Sequence, residues 1–364
     1  MTQHARRRVM ALVCAAQTLA DPNTQQGKEI REALIAQGPL SPAGVNLALR
    51  EHLELHPTES ELDTLIDVAG RAPHVHVVLS ANVFVGALRA LALALASSTQ
   101  VTVRMSRREA AFPRALVAAI DDSTVADCVS FTDSLNPGPG EEVHLYGHDT
   151  TMRAIASRLP SGVLVRPHGS GMGIAVIGAS ADVVDAAEAI ADDVVPFDQR
   201  GCLSPRIVMV EGDHQRAIGL ARTLAEALDE RRKRVPVGFL DPDELAERTR
   251  FRDTCRMIGD LYEVGEGSVG VARALLIPPV GRNVHVLSCG PNEAAELLRP
   301  LTRAIATVGV AGDAHDPLVA TVLSTLSRVR VSPVGKMQKP PLDGPVDRRV
   351  SEPVTPAAVI GMYR

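Results

Sequence analysis

Residues 198–206 read DQRGCLSPR, placing a thiol, two guanidinium groups, a glycine and a small polar run within nine positions. The segment follows an Ala-rich helical stretch and precedes a Val/Ile-rich strand, so it should form a loop at a sheet edge. In such a loop a side chain is reachable and neighbouring backbone N–H groups lie outside the ladder. Arg200 and Arg206 favour thiolate over thiol, and the thiolate is the nucleophilic form. Cys202 therefore reads as a candidate nucleophile. The alternative is a buried cysteine acting as a small hydrophobe, and Cys14, Cys128, Cys255 and Cys289, in apolar or helical runs, fit that role.

Two other groupings could carry chemistry. HGSGMG (168–173) has GxGxG spacing, but a strand-like IAVIG follows where a dinucleotide fingerprint needs a helix. Three glycines in five residues mark either a close backbone approach to a ligand or a tight strand-to-strand crossing. His74 and His76 alternate along a strand and share a face, and His144 and His148 straddle a strand end. Neither pair has a Cys or carboxylate beside it at ligand spacing, so no metal site is expected.

The elements that must hold these residues follow from composition and rhythm. The chain has 364 residues, 45% hydrophobic and 22% charged, enough for two domains with a sizeable core. A net charge of −5 and 2% aromatic content without Trp exclude a basic or base-stacking nucleic-acid surface. Five cysteines without a CxxC pair exclude a disulfide framework or zinc cluster and point to a reducing compartment. Arg6–Arg8 and the apolar run after them imitate a leader peptide, but Val9, Leu12, Val13, Ala16 and Leu19 have helical spacing. An amphipathic helix is the simpler expectation, and no stretch reaches the ~18 apolar residues of a membrane span. We expect a soluble, cytoplasmic protein.

Residues 1–70 read as helical. From residue 74 strands alternate with helices: strands at 74–80, 101–106, 142–147, 162–166, 173–178 and 206–212, and helices at 83–96, 109–120, 151–159 and 181–193. Strands at 272–277 and 284–288 and helices at 213–231, 243–258 and 291–305 are expected beyond them. This order implies α/β architecture with doubly wound parallel sheets. Expected domains are 1–170, the helical N-terminus with a nucleotide-binding sheet; 171–330, carrying Cys202; and a Pro-rich extended tail, 331–364, for packing or oligomerisation.

Residues 80–113, VHLYGHDTTMRAIA (143–156), residues 162–212 and VGKMQKPPLDGP (334–345) resemble the aldehyde dehydrogenase superfamily. Within it, DQRGCLSP and GKMQKPPLDGP resemble the acyl-CoA reductases of the LuxC-type fatty-acid reductase family. The resemblance implies an aldehyde-dehydrogenase-like fold of two doubly wound domains. It implies that Cys202 is the nucleophile and that the Asn82 amide, with the Cys202 backbone N–H, forms the oxyanion hole. As an N-cap, Asn82 has a purely structural alternative. Arg104 matches the residue that contacts the cofactor ribose, and Gly147-His148 match the pair where a helix start meets the pyrophosphate.

Three positions depart from the superfamily. His168 stands where many aldehyde dehydrogenases carry a general-base Glu, 34 residues before the nucleophile. His168 is expected at the site, with its acid–base role open; an unshifted imidazole near 6.5 would place a limb in the pH profile between about 5.5 and 7.5. Arg107 replaces a ribose-binding Glu, and Leu275 of LLIPPV (275–280) replaces the Glu that holds the nicotinamide ribose. With Arg104 and Ser106, Arg107 suggests a 2′-phosphate site and hence NADPH, with NADH as the alternative. Arg107 and Arg108 could instead cover the helix start at Glu109. The expected reaction is NAD(P)H-dependent reduction of acyl-CoA, or another acyl thioester, to an aldehyde through a cysteine acyl-enzyme. The alternatives are NAD(P)-dependent aldehyde oxidation and a non-catalytic scaffold. A homo-oligomer is expected, and the resemblance permits an acyl-transferase partner.

Overall fold

The structure is a computed structural model, and it describes residues 2–81, 83–106, 110–350 and 352–363. The chain divides into two compact units: Met1–Gly38, Ala48–Ser170 and Pro341–Arg364 form one, Pro39–Leu47 and Gly171–Pro340 the other.

The first unit holds strands β1 (Val75–Val78), β2 (Val101–Arg104), β3 (Val129–Phe131), β4 (Glu142–Tyr146) and β5 (Leu164–His168). They form a parallel sheet in the order β3-β2-β1-β4-β5. All four residues of β1 are buried, as both-faced coverage of a parallel strand requires. The helix Gly86–Ser97, GALRALALALAS, is apolar on every side and buried from Ala87 to Ser97. Its one charge, Arg89, bonds Glu54 Oε1 at 2.7 Å and the carbonyls of Gly344 and Pro341 at 2.6 and 2.9 Å. The helix Thr2–Ala20 buries Val9, Leu12, Val13, Ala16 and Leu19, the stripe its spacing describes. Among the described residues no helix is long and apolar enough to cross a membrane.

The second unit holds β6 (Met172–Ile177), β7 (Pro205–Val210), β8 (Asp260–Val264), β9 (Gly267–Val271), β10 (Asn283–Ser288), β11 (Ile305–Ala311) and β12 (Arg330–Pro333). Their order is β12-β11-β6-β7-β10-β9-β8, parallel except for the β8–β9 hairpin. Period-2 alternation splits each central strand between two cores. Ala175, Ile177, Val208 and Val210 pack with the helices Val183–Val194 and His214–Arg234. Ile174, Val176, Ile207 and Met209 pack with Pro291–Leu298 and Pro317–Thr325 on the other face.

Some elements differ from expectation. Residues 272–277 form no strand despite their apolar run. The strand there is β9, GSVGV, whose glycines weaken the sequence signal although a Cβ on Gly270 would strike the Cys255 sulfur at 2.3 Å. The helix expected over 291–305 stops at Leu298, before Pro300, and Ile305 already begins β11. The segment expected as one tail is divided: residues up to Pro340 belong to the second unit and Pro341–Arg364 to the first. There Val354 and Val165 exchange two backbone hydrogen bonds of 2.8 Å. No disulfide links the five cysteines, and Cys14 is exposed rather than buried.

Candidate active site

The residues expected to bind a cofactor fall on one edge of the first sheet. Arg104 closes β2, Ser106 follows it, Gly147-His148 follow β4, and His168 closes β5. In open parallel sheets ligands bind outside the carboxyl ends of the strands, where the strand order reverses, and here that reversal lies between β1 and β4. Asn82 and Arg107, with Arg108 and Glu109, lie outside the described residues. Arg104 is exposed, and its carbonyl accepts from the Leu79 amide at 3.0 Å, fixing the β1 end against β2. Gly147 has φ 155°, and a Cβ there would meet nothing within 4 Å, so the glycine serves backbone conformation in open space. His148 caps the helix Asp149–Ala156, its Nδ1 accepting from the Thr150 amide at 3.4 Å.

His168 is buried, its ring stacked on Tyr146 at 4.4 Å and 18°. Neither ring nitrogen has a hydrogen-bond partner among the described residues. Burial pushes its pKa down to about 3, with the positive neighbours Arg166 and Arg349 adding to the effect and Asp347 opposing it. The imidazole is therefore neutral at working pH. It supplies no titration between about 5.5 and 7.5, where an unshifted histidine would titrate.

Cys202 belongs to the second unit, half-buried in the loop just before β7. The backbone leading to it is unusual: Phe197, Asp198 and Gln199 have φ values of 57°, 49° and 66°, although none is glycine. Such positions cost on the order of 1–2 kcal/mol each and persist only where the surroundings over-determine them. Here the surroundings do so. Asp198 Oδ1 accepts from Arg282 Nη2 at 2.7 Å and Nε at 3.0 Å, and its Oδ2 accepts from the Gly238 amide at 2.9 Å. Gln199, fully buried, donates to the carbonyls of Pro205 and Asn283 at 2.9 and 2.8 Å and accepts from the Asn283 amide at 2.8 Å. The loop is thus tied to both β7 and β10. Arg200 is committed elsewhere: Nη2 bonds Glu244 at 2.9 Å and Phe239 O at 2.8 Å, and Nη1 lies 3.6 Å from Asp198. Its guanidinium is thus paired with Glu244 and lies beside Asp198.

The downstream side of the loop rests on GKMQ (335–338). Asp193 accepts from the amides of Gly335, Met337 and Gln338 at 2.5, 2.9 and 3.4 Å. Gln338 Nε2 then donates to Ser204 Oγ at 2.6 Å and to Asp193 O at 3.0 Å. Gly173 completes the packing: its amide donates to Ser204 O at 2.9 Å, and a Cβ there would strike Leu203 O at 2.7 Å. The third glycine of HGSGMG therefore marks a close backbone approach to the Cys202 loop. Spacing alone pointed to none of Asp193, Asp198, Gln199 or Gln338, whose partners lie as far as 145 positions away.

Burial pushes the Asp193 carboxyl up to about 7, against the pull of the three amides. Relative to ~3.9 in the unfolded chain, the folded state holds the extra proton between about pH 4 and 7, so this group's contribution to stability declines as pH rises through that window. Asn cannot titrate. The stability of Asp193→Asn relative to the parent should therefore improve by up to ~1.4 kcal/mol per pH unit across the window. Urea unfolding at a series of pH values measures it, and a pH-independent difference would refute it.

Beside the loop, Arg206, Glu247, Arg250, Phe251, Thr254 and residues 276–279 line a cavity of about 420 Å³. Arg206 donates to the Pro278 carbonyl at 3.4 Å, and its Nε has no partner among the described residues. Leu276, Ile277, Pro278 and Pro279 of the LLIPPV segment thus supply an apolar wall.

Residues 48–347 match the family model described as acyl-CoA reductase (LuxC). No curated protein matches the chain. A solved NAD-dependent benzaldehyde dehydrogenase from Corynebacterium glutamicum is similar, with 16% identity and a TM-score of 0.67 over 99% of this chain and 82% of that one. Propionaldehyde dehydrogenase from the Clostridium phytofermentans fucose utilisation bacterial microcompartment gives 10% identity and a TM-score of 0.61 over 92% and 84%. A mutant of Bradyrhizobium japonicum proline utilization A gives 16% and 0.63, with 97% of this chain matching 43% of that protein. At these identities the likeness to solved structures is one of fold, and that fold is the aldehyde dehydrogenase one. The chain belongs to the LuxC acyl-CoA reductase family and is an oxidoreductase.

Proposed function

We propose that the protein reduces an acyl thioester, acyl-CoA, to the aldehyde with NAD(P)H through an acyl-enzyme on Cys202. The observation that carries this reading is the family match spanning the Cys202 loop, whose approach residues Asp198 and Gln199 are held by buried bonds. A thiolate suits the substrate, because exchange of one thioester for another is nearly isoenergetic. Cys202 Sγ attacks the acyl carbonyl; the carbon–sulfur bond to CoA breaks, CoA leaves as thiolate and takes a proton, and the acyl group stays on Cys202. Asn82 and the Cys202 backbone N–H are the proposed donors to the oxyanion of each tetrahedral state. One such donor is worth on the order of 3–4 kcal/mol of barrier.

The sheet order and the edge formed by Arg104, Ser106, Gly147 and His148 fit a dinucleotide. When bound, the reduced nicotinamide supplies the hydride. Collapse of the resulting Cys202 adduct releases the aldehyde and restores the thiolate. A histidine held near pKa 3 is a weak base toward water, which supports His168 as a neutral site residue and reduction over hydrolysis to the acid. A cytoplasmic location and a homo-oligomer belong to the same reading, as does an acyl-transferase partner able to deliver the acyl group. Mixing the protein with a long-chain acyl-CoA should add one acyl mass by intact mass spectrometry, and NADPH should then discharge it as aldehyde. Discharge only as free acid would overturn the reductase reading.

For the cofactor we propose NADPH, with Arg104, Ser106 and Arg107 around the 2′-phosphate. Guanidinium groups bind phosphate in a bidentate fork, and one part-exposed contact of ~1.5 kcal/mol gives about tenfold preference. Fluorescence titration at low salt should show NADPH binding about tenfold tighter than NADH, and Arg107→Ala should reduce the ratio. Tighter NADH binding would reverse the assignment.

A further inference from the structure

At the amino end of the first sheet, folding adds to a histidine pair the carboxylate that its own sequence neighbourhood lacks. β1 and β4 are neighbours with Val75 opposite Glu142, so His74 and Glu141 stand side by side just before the two strands. His76, in β1, turns its Nε2 to Glu141 Oε2 at 2.8 Å, and His74 Nδ1 lies 3.6 Å from Oε1. The two imidazoles stack with centroids 4.1 Å apart. One ligand atom from each of the three residues can be chosen so that all lie within 4.8 Å of one another.

We propose that His74, His76 and Glu141 bind one divalent transition-metal ion of zinc type, as a clamp between β1 and β4 in the nucleotide-binding unit. Two nitrogens and one carboxylate oxygen suit zinc, cobalt or nickel and do not suit the all-oxygen preference of calcium or magnesium. Each histidine nitrogen already faces one oxygen of the Glu141 carboxylate, at 2.8 Å for His76 and 3.6 Å for His74, and a small side-chain adjustment would bring one donor atom from each residue to the ~2.1 Å of a zinc ligand. The outer partners are also in place. His74 Nε2 lies 2.7 Å from Thr102 Oγ1, and donation of its proton there leaves Nδ1 as the ligand. The Gly138 amide donates to Glu141 Oε2 at 2.7 Å and orients the carboxylate.

His76 is buried, while His74 and Glu141 keep about a quarter of their side-chain surface open, leaving an entry path and room for a solvent ligand.

The test is titration of chelator-treated full-length protein with Co²⁺, read by visible absorption, and with Zn²⁺, read by calorimetry and thermal unfolding. We expect one equivalent bound, d–d bands without the intense sulfur-to-cobalt charge-transfer band that Cys202 ligation would give, and a raised melting temperature with Zn²⁺. His74→Gln and Glu141→Gln alter partly exposed side chains and should fold, yet weaken binding by more than about tenfold; Thr102→Val should weaken it about tenfold through the outer hydrogen bond. A parent protein that binds neither ion, a thiolate spectrum, or affinity unchanged in folded His74→Gln would overturn the proposal.

Discussion

Cys202→Ala should abolish acyl labelling by acyl-CoA and lower turnover by several orders of magnitude, with nucleotide binding and folding retained. The large effect follows from the chemistry: without the sulfur no acyl-enzyme forms, and oxyanion donors alone leave only a small residual rate. The small effect on stability follows from position. Cys202 is half-buried in a loop that Asp198, Gln199 and Gln338 tie to the rest of the unit. Two of the other thiols cannot stand in for it, since burial pushes Cys255 up to about 11 and Cys289 up to about 12. Cys14 is exposed, so Cys14→Ser is the control and should label as the parent does. Turnover within tenfold of the parent in Cys202→Ala would mean that the reaction needs no covalent step on this residue.

Asp198→Ala should destabilise the second unit by about 3–5 kcal/mol, because it strands the buried Arg282 guanidinium without its carboxylate. It also removes the acceptor of the Gly238 amide and puts Ala at φ 49°, a conformation that Asp tolerates better. Urea unfolding measures the loss, and the rate of Cys202 acylation under native conditions measures the loosened loop. Combining Asp198→Asn with Arg282→Met removes both charges and keeps a side chain suited to positive φ, so it should restore part of the stability. Unchanged unfolding in Asp198→Ala would show that the left-handed run needs no such clamp.

Much of this molecule is local in origin. The alternation of apolar strands with Ala- and Leu-rich helices dictates parallel α/β layers, since each run must cover its neighbour's buried face. Gly173 marks a crowded crossing because only a missing Cβ fits against Leu203 O. Cys202 is conspicuous because a thiol between Gly201 and Ser204-Pro205 cannot belong to a helix or strand interior. Spacing carries these features because their causes lie within a few residues. Environment is different, because it is made by partners distant in sequence. Arg200 looks like an activating charge until Glu244 and Asp198 close on it. His168 looks like a base near neutrality until burial depresses its pKa. His74 and His76 look like an isolated pair until β4 delivers Glu141, and β9 is obscured by the glycines that its close packing on Cys255 demands. The sequence by itself determines which side chains alternate and which thiol lies in a loop rather than in an element, since those depend on period and neighbours. Charge state, desolvation and the convergence of donors from separate strands were decided only by the tertiary structure, because each depends on groups that the chain brings together across tens to more than a hundred positions.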